Sequence, residues 1–100
     1  MLNNITLVGR IAKEIKIQEL ESGKKVLNVT LAVPRSFKNM NGEYETDLIP
    51  CILFNGIAEN VESYCKQGDL IGIKGRVQVR ENTIEIIAEK VTFLSTRKED

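Results

Sequence analysis

The sequence predicts an all-β domain, a five-stranded Greek-key barrel with one short helix between the third and fourth strands. Three observations carry that expectation. Apolar and polar residues alternate along most of the chain, the two-residue period of half-buried strands. A helical period interrupts it once, between Ile57 and Cys65. An interior glycine, Gly9, falls in the first strand, where a bend or a close backbone approach is expected.

Residues 3–11 read as the first strand, with Ile5, Leu7, Gly9 and Ile11 on one face. Residues 15–20 continue as a strand after an interruption at Lys13-Glu14, and Glu21-Ser22-Gly23-Lys24 is turn chemistry. In the second strand, Val26 to Val33, the residues Leu27, Val29, Leu31 and Val33 oppose Asn28 and Thr30. Pro34 is expected to stop that ladder or to sit where no partner is needed. Asn41-Gly42 signals a hairpin tip before the third strand, Leu48 to Phe54. Ile57, Val61, Tyr64 and Cys65 at i, i+4, i+7 and i+8 make one face of the helix. Gly56 with Glu59 resembles its capped start, and Gly68 supplies a left-handed end. The period then returns to two: Ile71, Ile73, Gly75, Val77 and Val79 alternate with Gly72, Lys74, Arg76, Gln78 and Arg80. Arg80-Glu81-Asn82-Thr83 is a very short turn into the last strand, residues 84–94.

Five strands in this order, with the helix after the third, is the order of an OB-fold. Residues 1–95 are expected to form this domain and residues 96–100 a short charged tail. One hundred residues suffice for a single core. Lys plus Arg equal Asp plus Glu at 14 each, so any affinity for a polyanion must come from charge placement and not from bulk charge. No apolar stretch approaches a membrane span and no signal peptide opens the chain, so a cytoplasmic protein without membrane partners is expected. With no His, and Cys51 and Cys65 both in apolar surroundings, the usual zinc patterns are excluded; buried thiols and no cofactor are expected. Neither cysteine has a visible base partner and no carboxylate pair has motif context, which argues against an enzyme.

Two stretches suggest a binding surface. Lys74, Arg76 and Arg80 share one side of an extended strand, either as a solvated outer face or as a row that tracks phosphates. Arg35, Phe37 and Lys38 place an aromatic ring between cations in a polar hairpin. That ring either stacks on bases or folds back onto the barrel.

The ordered set of motifs resembles bacterial and phage single-stranded DNA-binding proteins. Met1 to Arg10 looks like that family's opening, and Leu31-Ala32-Val33, Arg35-Ser36-Phe37-Lys38, Thr46-Asp47-Leu48-Ile49, Phe54, Lys66-Gln67-Gly68 and Gly75-Arg76 follow in its order and spacing. The resemblance covers residues 1–94 and implies sequence-independent binding of single-stranded DNA in replication, repair and recombination. It implies that Phe37 and Phe54 stack bases, although the strand-end position of Phe54 also suits a core ring; Arg10, Arg35, Lys38, Lys74, Arg76 and Arg80 are the candidate phosphate partners. It implies a homo-oligomer, a homotetramer or else a dimer, paired through first strands, and a nucleoid-associated location. Two stacking positions fall on Leu48 and Asn82, which carry no ring, and the last hairpin is short. A weaker complex and a smaller footprint are therefore expected, in an accessory or mobile-element role. Recruitment of repair enzymes through the tail is expected to be absent, because Arg97-Lys98-Glu99-Asp100 has no apolar tip. A tail-less primosomal replication-restart protein N, acting through protein contacts, is the alternative within the same fold.

Overall fold

A computed structural model describes residues 1–95; the charged tail anticipated at residues 96–100 lies outside them. Six strands and one helix follow in order: β1 (Ile5–Ile11), β2 (Gln18–Glu19), β3 (Lys25–Lys38), β4 (Tyr44–Phe54), α1 (Asn55–Tyr64), β5 (Leu70–Arg80) and β6 (Thr83–Ser95). β1 pairs with β5 along Ile5 to Arg10, and β5 with β6 from end to end. β6 meets β4 in parallel at Cys51 and Ile52, and β3 returns to β1 at Ala32 and Leu31. The ring is thereby closed as a five-stranded barrel, with β2 a two-residue addition on β3.

The strands form because each has one face to bury. Leu27, Val29 and Leu31 of β3 lie against Leu53, Cys51 and Ile49 of β4, and Ile71 and Ile73 of β5 complete the interior. Cys51 is fully enclosed, and burial pushes its thiol up to about 11; the Cys65 thiol is also raised, first by burial. Both thiols are free and buried, as expected. Gly9 is a close-approach position: a Cβ there would stand 2.6 Å from the Ala32 carbonyl oxygen.

Several expectations change. Residues 15–20 are mostly not strand, because their backbone groups bond elsewhere. Ile17 N–H donates to the Glu62 carboxylate on α1 (2.6 Å), and Leu20 N–H donates to Lys24 O (2.8 Å) in the turn that follows. Of the two placements open to Pro34 the second holds, where no partner is needed, and β3 continues to Lys38. Beyond Ala32, β3 has β4 on one side only, so a missing N–H on the open side forfeits no ladder bond. The β3–β4 tip does fall at Asn41-Gly42, as a five-residue connection over residues 39–43 with Gly42 at φ +78. Asn39 N–H donates to Glu43 O (2.7 Å), and the Asn39 side-chain oxygen accepts from Asn41 N–H (2.9 Å) and Glu43 N–H (3.0 Å). The helix starts after Phe54 without a side-chain cap and ends at Cys65, so neither Gly56 with Glu59 nor Gly68 caps it. Gly68, with φ +97, turns the chain toward β5 instead. Ala58 and Val61 form the buried helix face, while Tyr64 is exposed, its ring 6.0 Å from that of Phe93. Val79 keeps the strand alternation but is exposed where β5 outruns the core. The turn at Glu81-Asn82 is as short as anticipated, with both residues at positive φ (51 and 65), the signature of a two-residue type I′ hairpin.

Candidate nucleic-acid interface

β3 and β4 turn a second face outward. Val26, Asn28, Thr30, Ala32 and Pro34 lie opposite Phe54, Ile52, Pro50, Leu48 and Thr46, while the intervening residues fill the core. At the α1 end this face forms the floor of a groove of about 400 Å³. Val26 and Ile52 supply apolar floor, Leu20 and Lys24 one wall, and Gln78, Arg80 and Glu85 the other. The half-buried ring of Phe54 lies in it, with the Lys24 ammonium 4.1 Å from the ring centroid. Phe54 therefore lines an outer groove and is not part of the core.

The opposite wall is built around an acid. The Glu85 carboxylate accepts from Arg80 Nε (3.0 Å) and Nη2 (2.7 Å) and from Gln78 Nε2 (3.3 Å). Its own side chain is 10% exposed, whereas that of Arg80 is 65% exposed. The Arg80 hydrogen bond holds the Glu85 carboxyl below its usual range, and Glu85 in turn raises the guanidinium. The short turn creates this pair by placing Gln78 across from Glu85, with Arg80 diagonal to it.

The other expected cations are spread over the barrel. Arg35 lies on the two-stranded β3–β4 arm, where Nε and Nη2 donate to Asp47 (3.1 and 3.0 Å) and Nη1 to Glu45 (2.7 Å). Asp47 is held below the carboxylate range, first by its hydrogen bond from Arg35. Arg76 donates to Glu89 (3.0 Å), the extra residue of a bulge in β6. Arg10 donates to Gly68 O (3.0 Å) beside a separate apolar cleft lined by Val8, Ala32, Pro34 and Leu70. Lys74 is exposed and has no ion pair among the described residues. Phe37 is 65% exposed on the arm and does not fold back onto the barrel. The structure thus gathers Phe54 and Arg80 in one groove, sets Arg35, Phe37 and Lys38 on the arm, and leaves Arg10, Lys74 and Arg76 on the flanks. Lys24, Val26, Ile52 and Glu85 were not singled out from sequence. Lys24 carried no signal, because its ring partner lies 30 residues away.

The two depressed carboxyls imply an acid dependence. A carboxyl whose folded pKa lies below its unfolded value stabilises the fold fully above about pH 4–5, and that contribution disappears as pH falls through the native value. Stability is expected to decline below about pH 4, and less steeply in an Asp47→Asn, Glu85→Gln double variant. Identical acid-unfolding curves for parent and variant would show that these pairs do not govern it.

A closed barrel with one helix between its third and fourth long strands, and a ring-and-cation groove on its outer sheet, is an OB-fold of the oligonucleotide-binding kind. A family model for the single-strand binding protein family matches residues 2–94, and the chain belongs to that family. It is 41% identical over 106 aligned positions to single-stranded DNA-binding protein B of Bacillus subtilis (strain 168), covering 97% of this chain and 94% of that protein. Identity is also 41% to a single-stranded DNA-binding protein of Halalkalibacterium halodurans, of which the chain spans 63%. A Plasmodium falciparum SSB complex with single-stranded DNA has the same fold, with a TM-score of 0.82 at 24% identity over 95% of this chain and 96% of that one. These likenesses favour the single-strand binders over the replication-restart alternative. Among the described residues no helix is long and apolar enough to cross a membrane.

Proposed function

We propose that this chain binds single-stranded DNA without sequence preference and protects it during replication, repair and recombination, as a cytoplasmic, nucleoid-associated binding protein and not an enzyme. The observation that carries the reading is the outer groove, where the Phe54 ring lies over apolar floor between the Lys24 ammonium and the Arg80 guanidinium. A ring offers every base the same stacking surface, and cations meet the repeating phosphate. Membership of the single-strand binding family supports the same reading.

Phe54 and Phe37 are the proposed stacking residues. Arg10, Arg35, Lys38, Lys74, Arg76 and Arg80 are the proposed phosphate partners, with Lys24 added. They are not equivalent. Lys38 and Lys74 are exposed and outside the ion pairs found among the described residues. Arg35 and Arg76 must leave exposed carboxylates, where solvent already screens the attraction. Arg80 holds a mostly buried carboxylate, and displacing it would strand that charge. Arg80 therefore contributes chiefly by staying in place.

Titration of mixed-sequence oligonucleotides at several salt concentrations tests the function. Affinity is expected to fall with salt at a log–log slope of roughly −0.7 per phosphate contacted, with comparable values across sequences. Discrimination between sequences by several orders of magnitude would overturn the mechanism. Assembly follows from β1, which from Ile5 to Gly9 is paired only on the β5 side. An open apolar edge invites a second copy, giving the homotetramer or dimer. Sedimentation of a concentration-independent monomer would exclude it.

A further inference from the structure

One ring beside a proposed phosphate partner has no role in the interface described above, that of Tyr44 next to Lys38. β4 pairs without a break from Tyr44 to Phe54 apart from the shift that β3 absorbs, so Tyr44, Leu48, Ile52 and Phe54 all lie on its outward side. From Asp47 onward exposure follows the alternation, with Leu48 59% exposed and Cys51 and Leu53 fully buried, while the arm is open on both sides and Tyr44 is 58% exposed. At one end of this face Lys24 covers the Phe54 ring at 4.1 Å, and at the other Lys38 stands 5.8 Å from the Tyr44 centroid. Lys38 and Tyr44 are also direct partners across the arm. The two ends therefore repeat one chemical unit, an aromatic face beside an ammonium.

That unit suits a nucleotide, whose base needs a flat partner and whose phosphate needs a cation. An exposed cation–π contact is worth only about 0.5–1 kcal/mol, so a base can take the ring while the lysine turns to the phosphate. Five two-residue steps along β4 separate Tyr44 from Phe54 by about 33 Å. Between them the outward side chains Thr46, Leu48, Pro50 and Ile52 carry no charge. The path between the rings is thus free of carboxylates from β4 itself. The acids of the arm, Glu45 and Asp47, belong to the opposite parity and are engaged by Arg35.

We propose that Tyr44 is an additional base-stacking residue, with Lys38 as its phosphate partner, and that the bound strand runs along the outer face of β4 from Phe54 to the arm. This rests on the single-strand-binding reading, and the experiment separates the two. Tyr44 and Tyr64 are the only tyrosines and the chain has no Trp. A Tyr64→Phe background therefore makes Tyr44 the sole strong emitter, and Tyr64 lies on α1 away from the groove. Adding an oligothymidylate of about twelve nucleotides should quench that emission. Tyr44→Ala should weaken binding roughly five- to tenfold and Tyr44→Phe less than about twofold, since the ring and not the hydroxyl does the stacking. Unquenched emission, or parental affinity in Tyr44→Ala while Phe54→Ala binds poorly, would overturn the inference and leave the groove reading intact. A parent that binds no oligonucleotide would remove both.

Discussion

Replacing Gly75 by alanine is expected to destabilise the fold by about 3 kcal/mol or more, the upper range for overpacking, and to lower Tm by roughly 10 °C or more. The cause is the bulge at Glu89. Lys74 pairs with Lys90 but Gly75 with Ala88, so β6 carries one extra residue and crowds β5 at Gly75. A Cβ there would collide with the Ile87 carbonyl oxygen, with Ile87 C at 2.9 Å and Ala88 Cα at 3.1 Å. All three atoms are backbone, held by the ladder, so no side-chain rotation relieves the clash. Gly56→Ala is the control. Gly56 stands in the first turn of α1 with nothing within 4 Å of an added Cβ, so alanine there should stabilise by up to about 1 kcal/mol. Thermal unfolding of the two variants should move in opposite directions. Parental stability in Gly75→Ala would mean that β6 relaxes freely at its bulge.

Phe54→Ala is expected to cost about 1–3 kcal/mol of single-strand affinity, a loss of roughly five- to 150-fold. The ring is the centrepiece of the groove, paired across the ladder with Val26 and covered by Lys24. Its removal takes away the stacking face and unseats the ammonium together. Circular dichroism and Tm must accompany the titration, because a half-buried ring also contributes packing. Parental affinity in a folded Phe54→Ala protein would place the strand on another surface.

The barrel was legible where one face of a strand is wet and the other dry, because that alternation writes itself into the residues. Leu27, Val29, Leu31, Ile71 and Ile73 all went to the core as their spacing required. The reach of β3 past Pro34 was not legible, because it depends on which side of the strand has a neighbour. Tyr64 has helical spacing with Val61, but α1 ends there and its ring reaches Phe93 at the surface instead. For the site, the residue types were readable and the pairings only partly so. Arg80 with Glu85 follows from the register of a two-residue turn. Arg35 with Asp47, and Arg76 with Glu89, lie beside register shifts that no spacing rule announces.

The pairing of β1 has a consequence for how the chain comes into being. Ile5 finds its ladder partner at Gly75, and the ring closes only when Ile86 reaches Cys51. At about 5–20 residues per second, roughly 70 residues separate the synthesis of the first strand from that of its partner by several seconds. Until then β1 has only Arg10 and Ile11 to set against β3. Contacts so distant in sequence make for slow closure, on the scale of milliseconds to seconds even once the chain is complete. The nascent N-terminus must therefore wait on the ribosome's schedule. The strand left open-edged in the finished barrel is also the one longest without a neighbour during its birth.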